Sequence, residues 1–118
     1  MEKIIIYHNP KCTKSRCALN WLAESEKTVE IRDYLKIPLS TLELINILDK
    51  LNLLPSDILR SKEKEYIDMV KGNYSSEEQL LDYMIKFPKL IERPIVLWEG
   101  GGVLARPLQN LIEKFNNE

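Results

Sequence analysis

KIIIYHNPKCTKSRCALNWLAESEKTVEIRD, residues 3–33, carries three elements in one short run. Lys3 to Tyr7 is apolar and β-branched, the pattern of a buried strand. Asn9-Pro10 then breaks it. From about Ser15 to Glu24 a helix follows, with Ser15, Ala18, Leu19 and Leu22 at the i, i+3, i+4, i+7 spacing of one face. Thr28 to Asp33 alternates, with Val29 and Ile31 on one side, and reads as a second strand. Strand, helix, strand over so short a stretch is a βαβ unit, so the two strands are expected to be parallel.

The far end of the chain has a different pattern. Ile95-Val96-Leu97-Trp98 is a strand, Glu99-Gly100-Gly101-Gly102 a turn, and Val103-Leu104-Ala105 a strand returning beside the first, hence antiparallel. The glycine run is no phosphate loop, because a strand and not a helix follows it. Pro107 suits the first turn of a helix, and Leu108, Leu111, Ile112 and Phe115 give that helix an apolar stripe. Between the two ends the chain is helical. Ser40-Thr41-Leu42-Glu43 is a capping box ahead of Leu44, Ile47, Leu48 and Leu51. Ser75-Ser76-Glu77-Glu78 is read as a second, ahead of Leu80, Leu81 and Met84, and Leu53 to Val70 holds one or two short helices. The order βαβ, helices, ββα predicts an α/β fold. A four-stranded mixed sheet flanked by helices follows the thioredoxin-like plan, with a helical insertion over roughly 38–90.

At 118 residues the chain fits one domain spanning 1–118. Apolar residues make up 44% and charged residues 30%, an ordinary globular mixture that excludes a disordered chain. The formal net charge of −1 gives no basic surplus for nucleic acid or an anionic membrane. Ile4-Ile5-Ile6 is too short for a signal peptide or a membrane span, so a cytosolic location is expected. In a reducing cytosol Cys12 and Cys17 are not expected to form a structural disulfide, which leaves a thiol for chemistry. A lone His8 cannot build a His-rich metal site, and no metal is expected.

Cys12 follows the first strand and precedes the first helix. Free N–H groups and the helix dipole there favour an anion, so the thiol is expected to ionise easily and act as a nucleophile. Lys11, Lys14, Arg16 and His8 add positive charge or donors. Cys17 points away from the core face and lies ~7.5 Å along the helix axis at ~1.5 Å per residue, beyond the ~7 Å Cα separation a disulfide tolerates. Cys12-Thr13-Lys14-Ser15 is therefore a CxxS pattern, and an external thiol must finish any redox cycle. A tyrosine-phosphatase loop needs Arg six residues after the cysteine, where this chain has Ala18. Arg93 and Arg106 bracket the hairpin, so antiparallel pairing puts them at one end of the sheet. That end also carries the Cys12 loop if the first hairpin strand runs antiparallel to Lys3–Tyr7. A thiolate among guanidinium groups suits a tetrahedral oxyanion, which Arg binds through a planar donor fork.

These residues resemble a known family, the glutaredoxin-coupled arsenate reductases, nearly end to end. Tyr7-His8-Asn9-Pro10-Lys11-Cys12-Thr13-Lys14-Ser15-Arg16 is similar to the family's active-site motif, and Arg93-Pro94-Ile95-Val96 to its second signature. Leu59-Arg60 and Ala105-Arg106-Pro107 fall where the family has its other two arginines. The resemblance implies Cys12 as catalytic nucleophile and Arg60, Arg93 and Arg106 as oxyanion ligands, with His8, Ser15, Arg16 and a cis Pro94 in support. It also implies arsenate as substrate, glutathione as co-substrate and glutaredoxin as protein partner, with no bound cofactor. A monomer is expected. Where family reductases commonly have Gly-Thr after the cysteine, this chain has Thr13-Lys14. Two other readings stay open. One is a thiol oxidoreductase acting on a glutathionylated or undefined substrate. The other is an Spx-type regulator that binds RNA polymerase, against which CxxS and Arg106 both stand.

Overall fold

The apolar alternation near the N-terminus becomes β1 (Lys3–Tyr7), in which Ile4 and Ile6 point to one face and are fully buried. The structure, a computed structural model, describes residues 3–24 and 28–116, with side chains described through residue 114. Helix α1 (Thr13–Ala23) starts two residues before its apolar periodicity begins, because Cys12 is its N-cap, extended at φ −95 and ψ 121. Only Ser15, Ala18 and Leu22 are buried, which is why the first turn left no hydrophobic mark. Strands β2 (Thr28–Arg32), β3 (Ile95–Trp98) and β4 (Gly101–Leu104) follow, then helix α4 (Leu108–Asn116).

Among the described residues the strands form one four-stranded sheet, ordered β2-β1-β3-β4. β1 and β2 are parallel, with Ile4 opposite Val29 and Tyr7 opposite Arg32. β1 and β3 are antiparallel, with Tyr7 opposite Ile95, and β3 pairs antiparallel with β4. Ile4, Ile6, Val96 and Trp98 share a face with Ala18 and Leu22 of α1, Leu111 of α4 and Ala105 to make one core cluster. Each of the Ile, Val and Leu side chains among these contributes about 1.5–3 kcal/mol when taken from water. The result is the expected thioredoxin-like mixed sheet with helices.

Several local expectations are corrected. The hairpin turn is two residues, Glu99-Gly100, because Gly101 pairs with Trp98 and Gly102 with Leu97. Ladder hydrogen bonds come from backbone groups, so glycine joins a strand without any side-chain signal. β2 is an edge strand: Val29 and Ile31 occupy alternate positions on one side, and Val29 packs against the core cluster while Ile31 stays 53% exposed. Pro107 lies just ahead of α4, and its carbonyl accepts from the Asn110 N–H at 3.0 Å. Ile112 is half-buried on that helix, and the Phe115 side chain lies outside the described residues.

The chain divides into two compact units, one made of Met1–Tyr34 and Arg93–Glu118, the other of Leu35–Glu92. The second unit opens on α2 (Thr41–Leu51), whose capping box is as read: Ser40 Oγ accepts from the Glu43 N–H at 3.1 Å, and Glu43 Oε1 from the Ser40 N–H at 3.2 Å. It ends at Asn52 in the left-handed region, φ 57. The next stretch forms a 3₁₀ helix, Pro55–Ile58, and a π-helical turn, Tyr66–Val70. Helix α3 (Glu77–Lys86) is capped one residue later than read, by Ser76, whose Oγ accepts from the Gln79 N–H at 3.1 Å. Gln79, not Glu78, reaches back, accepting from the Ser75 N–H at 2.7 Å. Leu44, Ile47, Ile58, Leu80, Met84 and Leu90 are fully buried. Among the described residues no helix is long and apolar enough to cross a membrane.

Candidate active site

The loop after β1 is built by Asn9. Its carbonyl accepts from the Cys12 N–H at 2.9 Å and its Oδ1 from the Lys11 N–H at 3.0 Å, a side-chain turn that folds the backbone back before α1. Its own N–H donates to Ser15 Oγ at 3.4 Å, tying the loop to the first helical turn. Arg16 clamps the same loop from outside, through Nη1 to the Pro10 carbonyl at 3.2 Å and Nη2 to Thr13 Oγ1 at 3.4 Å. Asn9 is buried and its role went unread in the sequence; the signal was an Asn before Pro in a turn.

Cys12 is thereby held at the N-cap of α1, half-buried, as a free thiol. A neutral thiol is a weak acceptor, and no capping hydrogen bond forms to it. Burial pushes its pKa up. The Ser15 and Lys14 N–H groups, the Ser15 hydroxyl and the Arg93 guanidinium favour the thiolate and win, bringing the pKa down to about 7. Ser15 is fully buried at this point, so the hydroxyl of the CxxS pattern faces the sulfur and the loop instead of solvent.

The strand pairing brings the hairpin arginines to the same end. Tyr7, which leads into the Cys12 loop, lies opposite Ile95, and Ile95 lies opposite Leu104. Arg93-Pro94 precedes β3 and Arg106-Pro107 follows β4, both with cis peptide bonds. The Pro94 carbonyl accepts from the Ala105 N–H at 2.9 Å, and Arg106 Nη1 donates to the Arg93 carbonyl at 3.3 Å. Arg106 therefore braces the residue that carries the other guanidinium. Arg93 Nε and Nη1 are buried and have no hydrogen-bond partner. Unsatisfied buried donors of a cation are costly, and an oxyanion is the acceptor that would satisfy them.

His8 is 5% exposed, with its N–H donating to the Arg32 carbonyl at 3.0 Å and its Nδ1 buried without a partner. Burial pushes its pKa below the ordinary imidazole value of 6.5; Asp33 opposes that shift and Arg16 reinforces it. A lowered pKa favours the neutral ring at neutral pH, so of the charge or donor expected of His8 beside Cys12 the charge is disfavoured. Arg60 belongs to the second unit. There its Nη1 pairs with Glu92 Oε1 at 3.0 Å and its Nε with Glu63 Oε1 at 3.2 Å. Its N–H donates to the Leu90 carbonyl at 2.7 Å, beside the Leu59–Ile91 bridge. Cys17 is exposed and free.

The ArsC family profile matches residues 7–113. An arsenate reductase of Neisseria meningitidis is 38% identical over 113 residues, covering 94% of this chain and 97% of that one. The uncharacterized protein YfgD of Escherichia coli is 37% identical over 114 residues, covering 95% and 96%. The solved arsenate reductase from Vibrio cholerae superposes with a TM-score of 0.86 at 35% identity, over 94% of this chain and 97% of that one. The profile match and the relatives agree: the chain belongs to the ArsC family.

Proposed function

We propose that the protein reduces arsenate to arsenite, with Cys12 as the nucleophile and glutathione and glutaredoxin as the electron source. The observation that carries the reading is the pairing of a Cys12 thiol lowered to about 7 with buried, unpartnered Arg93 nitrogens beside it. In the first step the thiolate attacks arsenic, an S–As bond forms, and hydroxide or water leaves. Glutathione then attacks the Cys12-bound arsenic. A glutaredoxin thiolate attacks the glutathione sulfur of that adduct, so a glutaredoxin–glutathione disulfide forms and the As–S electron pair stays on arsenic, which gains two electrons; water then cleaves the Cys12–As bond, releasing arsenite and the Cys12 thiol. Arg93 and Arg106 stabilise charge on the arsenate oxygens. Arg60 is assigned as a further oxyanion ligand on the family resemblance, and Pro94 as support for the Arg93 segment. The cycle consumes thiols, which fits a reducing cytosol.

A coupled assay tests this directly, following NADPH oxidation with glutathione, glutathione reductase, glutaredoxin and arsenate. Turnover that needs arsenate and vanishes in Cys12→Ser is the expected result. Arsenate-independent oxidation would instead favour a thiol oxidoreductase with another substrate, a reading that the uncharacterized YfgD relative leaves room for.

A further inference from the structure

Lys11 and Lys14 flank the nucleophile, and both side chains are exposed. Among the described residues neither ammonium has an ion-pair or hydrogen-bond partner. Their backbones, by contrast, are fixed: the Lys11 N–H by Asn9 Oδ1 at 3.0 Å, and the Lys14 N–H by its place in the turn that faces the sulfur. The neighbouring cation behaves differently, since the Arg16 guanidinium is held by Pro10 and Thr13. Arg93, just ahead of β3, has buried nitrogens without a partner, and these suit the oxygens of arsenate. Two exposed, unpaired ammonium groups that flank a half-buried thiol in sequence are therefore left to meet whatever approaches the sulfur from solvent.

We propose that Lys11 and Lys14 select the thiol co-substrate, favouring a small thiol that carries carboxylates over a neutral or cationic one. This rests on the reading of Cys12 as the thiol that an external thiol must release. The lysine stems are long and rotatable, so they suit a flexible peptide-like carboxylate and not one rigid geometry.

Thiol–disulfide exchange reads this selectivity without arsenate, so its failure is separable from failure of the arsenate reading. The Cys12 thiolate attacks one sulfur of a disulfide RSSR, forms Cys12–S–S–R and releases RS⁻, with no other reactant. Rates would be measured on the full chain in a Cys17→Ser background, with glutathione disulfide (net anionic), hydroxyethyl disulfide (neutral) and cystamine (cationic). For Lys11→Gln or Lys14→Gln the ratio of the anionic to the neutral rate is expected to fall about two- to fivefold at low salt, the range of an exposed ion pair. The double variant falls further, and the cationic-to-neutral ratio rises. Near ~1 M salt, where the screening length is about 3 Å, the differences between variants vanish. If the anionic and neutral rates change by one common factor, the lysines act only on thiolate formation and the proposal is overturned. Unchanged ratios overturn it as well.

Discussion

At the residue scale, the candidate site rests on how one thiol is kept ionised. A pKa of about 7 means that Cys12 is largely thiolate above neutrality and protonated below it. Its alkylation by iodoacetamide, measured in Cys17→Ser, is therefore expected to rise with pH to a midpoint near 7 and to fall roughly tenfold per pH unit well below it. A midpoint at the ordinary thiol value of ~8.5 would remove the basis for Cys12 as an activated nucleophile. Cys17→Ser itself keeps turnover, because Cys17 is exposed on α1 and no intramolecular disulfide takes part. Arg93 and Arg106 form the second half of the argument. Truncating either to Ala should lower kcat by about 10²–10³-fold, as for one oxyanion donor. Lys at either place keeps the charge but loses the fork, so it does not restore the rate. Because Arg106 donates to the Arg93 carbonyl, the double variant should be less damaged than the product of the singles. Single variants at wild-type rates, with Cys12→Ser dead, would leave the thiol chemistry standing and remove these arginines from arsenate binding.

At the element scale, the structure follows strong local signals and departs from them where partners are distant. Ser40 and Glu43 cap each other across three residues, a pattern visible in the sequence and present at 3.1 and 3.2 Å. Ser40→Ala is expected to cost about 1 kcal/mol, seen as a lower unfolding midpoint in urea with unchanged activity. An unchanged midpoint would mean that the box adds nothing to the second unit. β1, α1, β3 and α2 were legible for the same reason: their apolar spacing is set by the element's own period. The exposure of Ile31 was not legible, because periodicity shows which side a residue faces but not whether the strand has a neighbour to cover it. Gly101 and Gly102 read as turn because glycine has no side chain to mark a ladder position. The placement of Cys12, Arg93 and Arg106 at one end of the sheet was legible, because it follows from strand direction. The site was illegible in the Arg60–Glu92 pair, 32 positions apart, and in the Arg106 bond to the Arg93 carbonyl, which depends on close geometry.

At the scale of the whole molecule, the nucleophile and the hairpin arginines come from opposite ends of the chain. Cys12 enters with residues 1–34, and Arg93 and Arg106 with residues 93–118, both in the first unit. The site therefore exists only when β3 docks beside β1, a pairing that joins Tyr7 to Ile95. The core cluster spans the same division: Ile4, Ile6, Ala18 and Leu22 come from one stretch, and Val96, Trp98, Ala105 and Leu111 from the other. Leu111 is fully buried on α4, with no other described residue of that helix as completely covered. Leu111→Ala removes its packing and opens a cavity, at an expected cost of about 2–5 kcal/mol. Since the two stretches share one core, the loss should not stay in α4. Amide hydrogen exchange of Ile4 and Ile6 in β1, and of Val96 in β3, is expected to quicken together, by the factor set by the change in global stability. Iodoacetamide labelling of Cys12 under native conditions supplies the functional readout: its pH midpoint stays in place while the molecule remains folded, because the donors around the sulfur are unchanged. Faster exchange confined to α4, with β1 and β3 protected as before, would show that the helix frays independently and that the two chain ends are not one cooperative core.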